Sequence, residues 1–119
     1  MSPKSEEPPY LLAAQAGTVV RRLYTRLRDD EPASPADLCR TIGALQRLAD
    51  DLANVLPGLQ GQLEESLLAG QVGAGDTPGE AWDKVSEVGY ALAQARTGGL
   101  LLAAELRVSQ RTLGELTSS

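Results

Sequence analysis

Residues 35–69, PADLCRTIGALQRLADDLANVLPGLQGQLEESLLA, decide the fold. Within them Leu38, Ile42, Leu45, Ala49, Leu52, Leu56, Leu59 and Leu63 recur at alternating spacings of four and three, which places them on one apolar face of a long α-helix. Its start is marked by Ser34 as a capping hydroxyl, by Pro35 at the first helical position and by Asp37 near the positive helix end. Proline is harmless at that position because its missing N–H would be unsatisfied anyway. Pro57 falls inside the same stretch, where it removes the hydrogen bond to the Ala53 carbonyl and crowds it. The apolar register passes through it on Leu56 and Leu59, so the sequence predicts a kink or a short break in preference to a long loop, and a full break would raise the count to four helices.

Working outward, Gly70 to Asp76 (GQVGAGD) holds three glycines in seven residues and reads as a turn. Thr77-Pro78-Gly79-Glu80 repeats the start signal with a capping-box glutamate. The helix it opens carries Val85, Val88, Leu92, Ala95, Gly99, Leu102, Leu106, Ser109, Leu113 and Leu116 at the same alternating spacing. Two long stripes joined by a short turn predict an antiparallel hairpin. Upstream, Tyr10 to Arg28 predicts a shorter helix with Leu12, Ala16, Val19, Leu23 and Leu27 on one side and Arg21, Arg22, Arg26 and Arg28 on the other. It ends at the connector DDEPA. Residues 1–9, MSPKSEEPP, read as a disordered lead. The expected architecture is all-α, a three-helix bundle occupying residues 10–119 as one domain, with the short helix packed across the hairpin.

The composition narrows the functions. The chain has 119 residues, a net charge of −5, no histidine and one cysteine, Cys39. Without histidine it lacks the commonest general base and the commonest metal ligand. A single cysteine allows neither an internal disulfide nor a multi-cysteine zinc site; beside Leu38 it reads as a packed thiol. Negative charge opposes non-specific attraction to phosphate backbones. Asp50-Asp51 and Glu64-Glu65 are neighbours on a helix, so their carboxylates diverge by about 100° and do not form a catalytic pair. The Gly-rich turn lacks the Lys-Ser/Thr ending of a phosphate loop. No enzyme, cofactor or metal is expected. The window Val88 to Leu106 contains Gln94, Arg96 and Glu105 and is not a membrane span. With no targeting signal at the N-terminus, a cytoplasmic protein without a membrane partner is expected.

Two features allow a second reading beside the bland one. The arginines of the first helix are either a solvated face or a site for an acidic partner or a phosphate. Trp82, in the first turn of the third helix, either packs over the bundle's end or anchors a partner; the Asp83-Lys84 that follows it is not the Trp-x-Gly of secreted WXG hairpins.

The run LADDLANVLPGLQGQLEESL, followed by a Gly-containing turn and a second Ala/Leu helix, resembles uncharacterised small all-helical proteins of high-GC actinobacteria. The resemblance implies a helical hairpin and a bacterial source, and no activity. Residues 102–116, LAAELRVSQRTLGEL, resemble the helix-turn-helix of DNA-binding regulators. Leu102, Leu106, Val108, Leu113 and Leu116 stand at that family's apolar positions, Ala103 at its small residue and Ser109 at the start of its recognition helix. The resemblance implies DNA contacts from Gln110, Arg111 and Thr112. It departs from the family at Arg107, where the turn favours glycine. Val108 separates the alternatives, since on a continuous helix it lies about 200° from Leu106 and is exposed, whereas a helix-turn-helix buries it.

The expected function is therefore a non-enzymatic protein-interaction or adaptor module acting through its apolar seams. Those seams are Leu38, Ile42, Leu45, Leu52, Leu56, Leu59 and Leu63 against Val85, Val88, Leu92, Leu102, Leu106 and Leu113. The partner is a second copy or another helical protein. The alternative is a regulator that binds DNA through residues 102–116.

Overall fold

In the computed structural model, residues 7–70, 75 and 77–117 are described. The protein is all-α, with three helices in the order α1 (Pro9–Asp29), α2 (Pro35–Leu68) and α3 (Pro78–Thr117), and no strand among the described residues. None of these helices is long and apolar enough to cross a membrane. The chain divides into two units, Met1–Ser34 and Pro35–Ser119. Residues 1–6 of the expected lead, and 71–74 and 76 of the expected turn, lie outside the described residues.

Local chemistry sets the helix limits. Helix α1 begins one residue before the expected Tyr10, because Pro9 takes the first helical position. It closes where the Asp30 N–H donates to the Arg26 carbonyl at 3.0 Å. Helix α2 begins at Pro35, as the sequence indicates, and contains Pro57 without interruption. Past its end Gly70 adopts φ +76°, the left-handed conformation that glycine reaches without a Cβ penalty. The capping box of α3 forms in full: the Glu80 N–H donates to the Thr77 hydroxyl and the Thr77 N–H to the Glu80 carboxylate, each at 3.2 Å.

Helices α2 and α3 pack as an antiparallel hairpin, with Cys39 and Gly43 near Gln110, Asp50 near Arg107, Ala53 at Gly99 and Gln60 at Gly89. The buried side chains of this unit are small: Ala49, Ala53, Ala81, Val85 and Ala103, with Ala53 and Ala103 each only 1% exposed. A Cβ built on Gly99 would stand 3.2 Å from the Ala53 Cβ and 3.6 Å from the Ala49 carbonyl oxygen, so the two backbones nearly touch there.

That close approach corrects the expected register. Leu52, Leu59, Val88 and Leu102 are exposed, displaced from the seam because a leucine does not fit between backbones at this spacing. Of the α2 stripe, Ala49 is buried and Leu38, Ile42, Leu45, Leu56 and Leu63 half-buried; on α3, Val85 is buried and Leu92, Leu106 and Leu113 half-buried. The contact is turned toward Gly43, Gln46, Ala53 and Gln60 on α2, and toward Ala81, Gly89, Ala103 and Gln110 on α3.

Overpacking this seam should be costly. Ala53→Leu and Gly99→Val are each expected to lower unfolding free energy by about 1–3 kcal/mol, read by urea denaturation; Leu52→Ala in the dilute monomer should cost well under that. Thr77→Ala, which removes one half of the capping box, should cost about 1 kcal/mol.

Candidate interaction surfaces

The two flanks of the hairpin differ in chemistry. At about 100° per residue, Leu45, Leu48, Leu52 and Leu59 lie to one side of Ala53, and Asp50 lies to the other. On α3, Val88 and Leu102 lie to one side of Ala103, and Arg107 lies to the other. The Arg107 guanidinium is 3.5 Å from the Asp50 carboxylate, which fixes Asp50 and Arg107 on a common flank. Leu45, Leu48, Leu52, Leu59, Val88 and Leu102 therefore share the opposite one.

That opposite flank is the apolar surface. Leu52 is 58% exposed and Leu102 53%, with Leu48, Val55, Leu59 and Val88 also exposed. On α2 it runs from Thr41 to Ser66 without a charged residue. Between Val88 and Leu102 the α3 side contributes the small residues Ala91, Ala95 and Gly98, all exposed. A ridge of large aliphatic side chains thus lies beside a trough of small ones.

The carboxylate pairs diverge. Asp50 takes the Gln46 amide and Arg107 while Asp51 points to solvent. Glu64 accepts from Gln60 Nε2 at 2.9 Å, and Glu65 is exposed. Among the described residues no group of three or more His, Cys, Asp or Glu side chains is placed to hold a metal ion. Cys39 is half-buried, its thiol 3.5 Å from the Gln110 carbonyl that accepts from it. Trp82 is exposed, and the buried residue of that turn is its neighbour Ala81.

The helix-turn-helix arrangement does not form. Helix α3 runs unbroken past Arg107, Val108 is 48% exposed, and the Ser109 hydroxyl donates to the Glu105 carbonyl at 3.0 Å. That back-bond belongs to a helix interior and not to a helix start. Of the DNA contacts the resemblance implied, Arg111 and Thr112 are exposed, but Gln110 is packed into the hairpin against Gly43.

Two glutamines were missed by a reading that followed leucines. A Cβ on Gly43 would collide with the Gln110 amide, and one on Gly89 would stand 2.7 Å from the Gln60 amide nitrogen; each glutamine occupies the space its glycine leaves. The available signal was a glutamine at the edge of each stripe with a glycine on the facing helix. Gln60 Oε1 is buried without a hydrogen-bond partner.

Helix α1 carries its charge on one side. Thr18, Arg21, Arg22, Thr25 and Arg26 line an open concavity of about 420 Å³. Arg28 pairs with Asp29 at 2.8 Å and lies 5.6 Å from the Tyr24 ring centroid. The Asp29 hydrogen bond holds its guanidinium above the ordinary value. Arg26 reaches Asp30 at 3.7 Å, whereas neither Arg21 nor Arg22 lies within ion-pair distance of a carboxylate among the described residues.

Comparison of the chain with protein-family models, with curated proteins and with solved structures finds no match.

Because Gln60 buries an unpaired carbonyl, the near-isosteric Gln60→Met should be neutral or stabilising by up to about 1 kcal/mol, measured by thermal and urea unfolding. A loss of several kcal/mol would show that the amide is fully bonded.

Proposed function

We propose that this chain is a non-enzymatic, cytoplasmic interaction module that self-associates, two hairpins closing face to face into a four-helix arrangement. The observation that carries the reading is the uncharged flank on which Leu48, Leu52, Val55 and Leu59 stand beside Ala91, Ala95 and Gly98. A two-fold axis parallel to the helices lays the ridge of each copy over the trough of the other, so the face is complementary to itself. Its extent fits as well. From Thr41 to Ser66 the α2 side is roughly 37 Å long at ~1.5 Å per residue, and two helices of ~10 Å diameter make it roughly 20 Å wide. That area, roughly 700 Å², approaches the ~800 Å² per partner of a standard stable interface. Absent histidine and diverging carboxylates support an interaction role over catalysis.

Sedimentation equilibrium over a wide concentration range should show a dimer that Leu52→Glu combined with Leu102→Glu converts to monomer, since both charges would be buried unpaired. The dilute variant should keep its helical content, because both positions lie outside the α2–α3 contact. A wild-type protein that stays monomeric at high concentration removes the self-association reading.

A further inference from the structure

We infer that α1 is a surface-lying helix for anionic lipid, a role independent of the hairpin's apolar flank. The helix has two faces. At about 100° per residue, Leu12, Ala16, Val19, Val20, Leu23 and Leu27 share about 100° of the circumference, Thr18, Arg21 and Thr25 stand opposite, and Arg22 and Arg26 line one border, with Arg26 beside Val19. No residue of α1 is buried. Its four arginines against Asp29 give the helix a net +3 in a chain of −5. The positive charge is thus concentrated on an element whose apolar face is also open.

That combination selects the occupant. A phosphate-bearing polymer would engage the arginines and leave Leu12, Val19 and Leu27 in water, whereas a lipid surface takes both faces at once. The apolar side chains enter the acyl boundary, and the arginine stems reach up to headgroup phosphates. Arg21 and Arg22, without carboxylate partners among the described residues, supply the charge. Tyr10 and Tyr24, exposed near the two ends of the helix, suit the water–lipid boundary. The lack of a spanning helix concerns crossing a bilayer and not lying on one.

The test is flotation of the full-length protein with phosphatidylcholine vesicles, with and without a third phosphatidylglycerol. The proposal expects binding to the anionic vesicles only, weakening as salt rises. Arg21→Ala with Arg22→Ala should reduce partitioning about thirtyfold, from roughly fivefold per basic residue at the surface. Val19→Asp should reduce it as well, while circular dichroism shows the hairpin helices intact. Leu52→Glu with Leu102→Glu should leave it detectable, which separates this role from dimerisation. Equal binding to neutral vesicles, or no binding to anionic ones, overturns the proposal. So does full displacement by inorganic phosphate at constant ionic strength, which would mark a free-anion site. Tighter binding to duplex DNA or RNA, insensitive to Val19→Asp, also overturns it.

Discussion

The hairpin depends on the near-contact of two backbones where Ala49 and Ala53 meet Gly99 and Ala103. Small side chains permit that approach, and the approach then dictates where every larger one goes. Leucines of the same amphipathic stripe are divided: Ile42, Leu56 and Leu63 border the seam, while Leu52, Leu59 and Leu102 are pushed onto one flank. The other flank receives Asp50 and Arg107, whose pairing is too exposed to contribute much stability. An interior made mainly of Ala and Gly buries little apolar area per residue, so the hairpin gains less from burial than a leucine seam would supply. In the proposed dimer, the leucines it leaves uncovered would be the surface that a second copy buries.

The two glutamines explain how so uniform a seam keeps its alignment. Alanine and glycine faces slide past one another with little penalty, since successive turns present similar surfaces. Gln110 over Gly43 and Gln60 over Gly89 are different, because each amide fills a space that exists only opposite its glycine. A shift of one turn would set each amide against a side chain. Polar groups in an otherwise apolar contact thereby trade stability, visible in the unpaired Gln60 carbonyl, for a single register.

Helix limits were the most legible part of the chain. Pro35 and the Thr77–Glu80 box are local chemistry, and local chemistry can be read one turn at a time. The register was legible only in part, since the 4–3 spacing locates an apolar stripe wider than one helix contact. Reading it on leucines centred it between the true seam and the open flank, whereas the seam follows residue size. Segment 102–116 imitated a helix-turn-helix for a related reason: Ala103, Leu106 and Leu113 are spaced to pack against a neighbouring helix, and that requirement is common to both folds. Without glycine at Arg107 nothing makes the backbone turn, so the helix continues. The divergence of the carboxylate pairs is legible from angle alone, because 100° between neighbours is a property of the helix and owes nothing to the partner.

Charge is distributed as unevenly as size. A helix at +3 in a chain at −5 leaves −8 on the remainder, so the acidic part would be repelled by the anionic surface proposed for α1. A lone amphipathic helix of this length binds lipid weakly, and the opposing charge weakens it further. Pairing of hairpins as proposed would change that balance, because a dimer would carry two copies of α1 and the second would engage from the high local concentration set by the first. With both proposals in force, occupancy of the surface would rise more steeply than in proportion to protein concentration, while a single copy would still bind through α1 alone.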